Sequence, residues 1–118
     1  MTEPPRENLL SCTDLAGRSI YLTVEVAEHI RVHHPEIVRF LDWTCEALEQ
    51  LDFVYQRIRS GALLYYRQGL LTGRIATAYM VVVVRYNESG DGVVRTVYPT
   101  TRPATGDRLI YARPSGEI

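Results

Sequence analysis

The stretch TAYMVVVVRY, residues 77–86, decides which fold the sequence predicts. Its centre, MVVVV, is apolar on both alternations of an extended chain, whereas a strand with one solvated face alternates between apolar and polar side chains. A strand that is apolar on both sides needs cover on both sides. The stretch therefore predicts a central strand of a sheet.

Three further segments have the composition of β-strands and are bounded by turn residues. They are FVYQRIR (53–59), ALLYYRQ (62–68) and GVVRTVYP (92–99), with SG, QGLLTGR and NESGDG as the connecting segments. Together with the central stretch they predict an antiparallel meander with strands over 53–58, 62–68, 78–86 and 93–98. RLIYA (108–112), in a tail that is mainly loop, is a candidate for a short last strand.

The N-terminal half of the sequence predicts helices. Thr23, at the end of the short β-prone segment SIYLT, can cap a helix over residues 24–33. Pro35 cannot lie inside that helix, but it suits the first position of a second helix over residues 35–51. We therefore expect an α+β fold in which two N-terminal helices pack on a four-stranded antiparallel sheet.

Composition predicts one soluble globular domain. A chain of 118 residues with 46% hydrophobic content can bury a core without metals or disulfides. We expect this domain over residues 9–113, with a flexible tail over 1–8 and a second tail over 114–118. No apolar run approaches the roughly 20 residues that span a bilayer, so we expect a cytoplasmic protein with no membrane partner. Cys12 and Cys45 are far apart and lack a CxxC spacing, which predicts reduced cysteines.

Charge is divided unevenly along the chain. Residues 1–52 hold ten acids and four arginines, a balance of −6, and residues 53–118 hold nine arginines and four acids, a balance of +5. The overall charge of −1 argues against indiscriminate binding of polyanions. The C-terminal, strand-rich half is nevertheless basic, so any contact with a polyanion is expected there.

Tyrosine and arginine alternate along three of the predicted strands. The residues that share a parity are Tyr55, Arg57 and Arg59 in one strand, Tyr65 and Arg67 in the next, and Tyr79 and Arg85 in the third. Such a face suits single-stranded RNA, because tyrosine stacks on unpaired bases and arginine binds phosphate. The alternative is an ordinary half-exposed sheet, in which both residue types are common.

All three histidines lie in HIRVHHPEIV, residues 29–38. His29 and His33 are four apart and share a face of the predicted helix, a spacing that could hold a metal. No third ligand lies at a useful spacing, so we predict neither a metal nor another cofactor. Histidines at helix ends are often only hydrogen-bonded structural residues, but three of them at one corner favour a functional role.

Four segments, in chain order, resemble a known group of nucleases. They are LTVEVAEHIRVHHPEI, LLYYR, VVVVRY and GVVRTVYPTTRP. They are similar to the small phage and bacterial nucleases of the barnase/EndoU/colicin/RelE-like group, the BECR fold. Members of that group have a first helix of the form LT..R..HI..RHPE, an aromatic-aromatic-Arg strand, a valine-rich strand and a last strand of the form V.TAY.T.R. The resemblance covers most of the chain.

The resemblance implies a toxin-like, metal-independent RNA endonuclease. In such an enzyme the RNA's own 2′-hydroxyl attacks the adjacent phosphate and leaves a 2′,3′-cyclic phosphate. This chemistry needs a base, an acid, and cations or hydrogen-bond donors around the phosphate. The catalytic candidates that match the family's motifs are His29 and His34 as acid and base, Arg67 as a phosphate ligand, and Thr96 and Tyr98 as hydrogen-bond donors.

Substrate contacts complete the predicted site. The candidates are His33, Tyr65, Arg95 and Arg102. Pro35 disfavours helical geometry at the residue before it, so His34 can turn independently of the helix. Which of His33 and His34 faces the site stays open at this point.

Two other functions are compatible with the sequence. The first is a catalytically inactive relative that acts as an RNA-binding module, favoured because His33 stands where the nuclease pattern has an arginine. The second is a protein-interaction domain whose valine-rich sheet edge pairs with a partner. For the nuclease, the expected partners are RNA and a cognate inhibitor or immunity protein.

Overall fold

The computed structural model describes residues 7–103 and 106–114, which form one seven-stranded sheet and several short helical segments. The strands are β1 (Asn8–Thr13), β2 (Ser19–Thr23), β3 (Phe53–Gln56), β4 (Leu63–Gln68), β5 (Tyr79–Tyr86), β6 (Gly92–Thr100) and β7 (Arg108–Ala112). The helical segments are α1 (Val24–His33), a 3₁₀ helix (Pro35–Trp43), α2 (Thr44–Glu49) and a short 3₁₀ turn (Gly73–Ile75). In the part of the chain that the structure describes, no helix is long and apolar enough to cross a membrane.

The strand order is β1-β2-β6-β5-β4-β3-β7, so β5 is the central strand, as predicted. Strands β3 to β6 form the expected meander, and each pairs with the next in antiparallel orientation. All five residues of MVVVV are buried. The prediction of a strand covered on both faces is therefore confirmed.

The prediction of two helices on a four-stranded antiparallel sheet is wrong. Strands β1, β2 and β7 extend the sheet to seven, and β2 pairs with β6 in parallel orientation through Ile20↔Gly92 and Tyr21↔Val93. The predicted helix over 35–51 is instead the 3₁₀ helix followed by the six-residue α2. Two of the added strands lie in segments whose composition is β-prone, SIYLT for β2 and RLIYA for β7, and the candidate last strand over 108–112 is confirmed. Strand β1 was not predicted.

The predicted tails fall mostly outside the part of the chain that can be described. Residues 1–6 and 115–118 lie outside the described ranges. Among the described residues, β1 begins at Asn8, which the sequence had placed in the N-terminal tail.

The two faces of the sheet differ in what covers them. The first, the helix face, contains Met80, Val82 and Val84 of β5 and packs against apolar residues of the helical segments, among them Ile30, Ile37, Phe40 and Leu48. The second, the aromatic face, contains Val81 and Val83 of β5 together with five rings, those of Phe53, Tyr55, Tyr66, Tyr79 and Tyr98. Among the described residues, the cluster on the aromatic face includes no helical residue.

Helix α1 begins at the predicted residue. The Thr23 hydroxyl accepts a hydrogen bond from the Val26 N–H at 3.1 Å, as an N-cap does. At the other end, the His34 N–H donates to the Ile30 carbonyl, and the His34 carbonyl accepts from the Ile37 N–H. His34 has non-helical dihedrals (φ −137°, ψ 61°), as expected for the residue before Pro35. The two helices therefore meet at His34.

The parallel pairing of β2 with β6 depends on Gly92. A β-carbon at this position would lie 2.8 Å from Val84 Cγ1 and 3.1 Å from Ile20 Cγ1. The contact with Ile20 would push β2 away from β6, and the contact with Val84 would disturb the packing against β5. Glycine therefore allows β2 to lie beside β6 with Ile20 in the core.

Cys12 and Cys45 form a disulfide that joins β1 to α2. Their Cα atoms are 5.1 Å apart, although the residues are 33 positions apart in sequence. The prediction of reduced cysteines is therefore wrong. Sequence spacing alone could not show that β1 would lie beneath α2, because β1 itself was not predicted.

We expect the disulfide to make a large contribution to stability. Replacement of both cysteines (Cys12→Ser with Cys45→Ser) should lower the free energy of unfolding by about 3–4 kcal/mol, from the restored loop entropy of the unfolded chain. Urea unfolding with and without dithiothreitol measures this. The reductant should destabilise the wild type and leave the double variant unchanged; a wild type insensitive to reductant would contradict the prediction.

Candidate functional site

The aromatic face presents five neighbouring rings on three paired strands and β6. Strand register brings them together, since Phe53 pairs with Tyr66, and Val81 lies between Tyr66 and Tyr98. The ring centroid of Phe53 is 5.0 Å from that of Tyr66 and 5.1 Å from that of Tyr79. Tyr66 is fully buried, while the other four are partly exposed. Partly exposed rings on a sheet are a surface on which flat ligands can stack.

His34 lies at the edge of this face, beside Tyr98. Their ring centroids are 5.9 Å apart, and the ring planes are inclined by 33°. The fold is consistent with this contact, because β2 pairs with β6 only at Gly92 and Val93, and α1 also contacts β6. His34 Nδ1 is also 3.9 Å from a carboxylate oxygen of Glu36.

The other two histidines make a different contact. His29 and His33 stack on each other along α1, with ring centroids 4.3 Å apart, and both are exposed. Of the two adjacent histidines, His34 is therefore the one that touches the aromatic face. Within the described ranges, no group of three or more His, Cys, Asp or Glu residues could hold a metal ion.

Thr96 and Arg95 occupy an irregular part of β6. Val83 pairs with Thr96 while Val84 pairs with Val94, so β6 has one extra residue at this point. Thr96 shares the parity of Tyr98 and lies on the aromatic face beside Val83, and its Oγ1 is buried without a hydrogen-bond partner. Arg95 is the extra residue of the bulge. The predicted contact residue Arg102 is exposed and lies just after the end of β6.

Arg67 and Tyr65 lie on the opposite side of the sheet. They pair with Met80 and Val82, which belong to the helix face. Arg67 Nη1 is 3.5 Å from a carboxylate oxygen of Asp52. The structure therefore does not bring these two predicted site residues together with Tyr98. LLYYR places a tyrosine on each face of the strand, so the sequence pattern does not show which face is turned toward the helices.

A basic cavity of about 560 Å³ lies at one end of the aromatic face. Three arginines line it: Arg57, which directly follows β3, Arg85 from β5 and Arg95 from β6. The prediction of site residues included only Arg95. The alternation of tyrosine and arginine in the sequence did point to Arg57 and Arg85. Arg57 shares a parity with Tyr55, and Arg85 shares one with Tyr79.

No protein-family model matches this chain, and neither does any curated protein or solved structure.

A buried polar network lies on the helix side of the sheet, at the turn after β1. The Asp14 carboxylate accepts hydrogen bonds from the Tyr86 hydroxyl at 2.8 Å and from Arg18 Nε at 2.7 Å, and the Tyr86 and Tyr65 hydroxyls are 2.7 Å apart. Burial alone would raise the pKa of the Asp14 carboxyl, but hydrogen bonds from Arg18, Tyr86 and Ala16 outweigh it, so this pKa lies below its ordinary value. Burial raises the pKa of both tyrosine hydroxyls.

The network predicts a pH-dependent effect of Asp14→Asn. The lowered pKa means that the ionised carboxylate stabilises the fold above about pH 4, the ordinary range of an aspartate, and that this stabilisation is lost as pH falls through the lower folded-state pKa. At neutral pH the variant should lose about 1–3 kcal/mol of unfolding free energy. Below about pH 4 its difference from the wild type should shrink.

Urea unfolding across this pH range is the measurement. Asp42→Asn, at an exposed position of the 3₁₀ helix, is a matched control that should change stability little. A difference between wild type and Asp14→Asn that stayed constant into acid would count against the network's role.

Proposed function

We propose that the protein is a metal-independent RNA endonuclease whose reaction takes place beside the His34–Tyr98 pair. The observation that carries this proposal is the contact between the His34 imidazole and Tyr98 at the edge of the aromatic face. An imidazole can transfer protons near neutral pH, and a partly exposed tyrosine can stack on a base or donate a hydrogen bond. The resemblance to the BECR nucleases, whose motifs include both residues, supports the same site.

The reaction would be an internal transesterification. The 2′-hydroxyl oxygen forms a bond to the adjacent phosphorus, the bond to the 5′-oxygen of the next nucleotide breaks, and the products carry a 2′,3′-cyclic phosphate and a 5′-hydroxyl. A base accepts the proton of the 2′-hydroxyl, and an acid gives a proton to the leaving oxygen. His34 is assigned one of these two proton transfers. Tyr98 is assigned a hydrogen bond to a phosphoryl oxygen, and Arg95 is assigned a contact with the RNA backbone. Thr96, the other predicted donor, is not assigned a contact, because its Oγ1 is buried.

The second proton transfer and one phosphate contact rest on the resemblance alone. His29 is assigned the second transfer because it matches the family's other histidine, although its ring contact is with His33. Arg67 matches the family's strand arginine, although it lies near Asp52. Variants at these two positions separate the family's arrangement from one built only on the aromatic face.

The substrate class follows from the aromatic face. Single-stranded RNA can stack its bases on partly exposed rings such as those of Tyr79 and Tyr98, while arginines at the end of the face hold the backbone. In a duplex the bases are stacked inside the helix and cannot stack on these rings. Unpaired RNA is therefore the proposed substrate.

A toxin-like role would add a partner and a location. A nuclease that cuts cellular RNA acts in the cytoplasm, and the cell that makes it needs an inhibitor or immunity protein. Both statements come from the resemblance. Disulfides are typical of oxidising compartments, so action in the cytoplasm would require that the Cys12–Cys45 bond survive there or be formed beforehand.

We expect His34→Ala to lower RNA cleavage by ~100-fold or more, the usual scale for loss of a general acid or base. RNA binding should change little, because the imidazole acts mainly in the transition state. The measurement is cleavage of a labelled single-stranded RNA, with identification of the cyclic phosphate end. His33→Ala is the matched control, since it removes a neighbouring exposed histidine, and its loss should be much smaller.

An equal loss in the two histidine variants would remove the special role of His34. Wild-type protein that binds the RNA and never cuts it would leave the RNA-binding module as the function.

Because the nucleophile is the RNA's own hydroxyl, cleavage should be unchanged in excess EDTA. An RNA with 2′-deoxyribose at the cleaved nucleotide should not be cut at all. Rates measured on the two RNAs, with and without chelator, test both statements. Activity that EDTA abolishes and a divalent ion restores would overturn the mechanism.

A further inference from the structure

The basic cavity at the end of the aromatic face has the chemistry of an anion site. Arg57 reaches it from the segment after β3, Arg85 from β5 and Arg95 from β6, and none of the described residues that line it is acidic. Ala62 and Val83 form part of its wall and also belong to the apolar cluster of the aromatic face. The cavity is therefore continuous with that face.

The three arginines have no carboxylate partner among the described residues. By contrast, Arg18 and Arg67 each lie within ion-pair distance of an aspartate. Arg85 and Arg95 are exposed and Arg57 is half-buried, so all three guanidinium groups can be reached from solvent, and their like charges repel one another. A bound anion would relieve this repulsion, and the planar fork of arginine matches the oxygens of phosphate.

The strand register gives the separation between one wall residue of the cavity and the position beside Tyr98. Val83, which lines the cavity, pairs with Thr96, and Val81 pairs with Tyr98. The two positions are two residues apart along one strand, which is about 7 Å. A single RNA strand lying along β5 and β6 could therefore place one phosphate at Tyr98 and a neighbouring phosphate in the cavity.

We propose that the cavity formed by Arg57, Arg85 and Arg95 is a subsite for a phosphate of single-stranded RNA, next to the phosphate held at Tyr98. The identity of the ligand as RNA rests on the proposed function, whereas the affinity of the cavity for phosphate does not. Because the subsite lies on one side of the His34–Tyr98 pair, it also orients the strand. The RNA would be held by its backbone on that side whatever its base sequence.

The test uses a short single-stranded RNA with 2′-O-methyl groups, which cannot be cleaved by its own hydroxyl. Its dissociation constant is measured by fluorescence anisotropy for the wild type, Arg57→Gln and Arg85→Gln. Arg74→Gln is the matched control, because Arg74 is exposed in the turn before β5, at the opposite end of that strand from the cavity. Arg57→Lys keeps the charge and removes the planar fork.

We expect each glutamine variant to bind the RNA at least ~10-fold more weakly, and the plot of log affinity against log salt to become less steep by about 0.7, the value for one lost phosphate contact on a single strand. Arg74→Gln should match the wild type, and Arg57→Lys should lie between them. Thermal melts without ligand should show glutamine variants at least as stable as the wild type, because one repelling charge is gone.

Other results would overturn the proposal. Glutamine variants that bind as tightly as Arg74→Gln would remove the subsite and leave the nuclease proposal standing. Inorganic phosphate that competes as strongly as the RNA, at equal phosphate concentration and fixed ionic strength, would make the cavity a site for a free anion instead. Lost binding in the cavity variants, together with a wild type that never cuts RNA, would uphold the subsite and reject the nuclease.

Discussion

The structure depends on β5 being buried on both faces. Its four valines and Met80 alternate between two apolar clusters, and a fully buried side chain of this kind contributes about 1.5–3 kcal/mol relative to an exposed one. A strand of this kind must have a partner on each side and a layer on each face. The meander supplies the strand partners, the helices cover one face, and a layer of aromatic rings covers the other.

The two faces of the sheet differ in what they contain. The helix face contains most of the apolar core and the disulfide, together with the Asp14 network. The aromatic face is covered by large side chains of its own strands, which fill space without a second layer of helices. Rings that cover a core and remain partly exposed can contact a ligand without further rearrangement, which is why the candidate site lies on this side.

Local sequence patterns predicted the parts of the fold that depend on near neighbours. The meander, the central strand and the Thr23 cap are all of this kind. Other features join residues that are far apart in sequence, so local sequence patterns do not predict them. These are the pairing of β2 with β6 and the Cys12–Cys45 disulfide. The site was partly predicted for the same reason. Tyr98 and Thr96 were predicted as site residues from their motif. The face on which Tyr65 and Arg67 lie depends on the register between β4 and β5, which the long connection between these strands leaves undetermined in the sequence.

His34 belongs to neither helix, and its backbone is hydrogen-bonded to both, through Ile30 and Ile37. Those two isoleucines are fully buried. The distance between the His34 imidazole and Tyr98 therefore depends on the angle at which α1 meets the 3₁₀ helix. Repacking of the core beneath this joint could therefore change the geometry of the pair without any change at the surface, and the position of His34 depends on buried aliphatic residues as well as on its own neighbours.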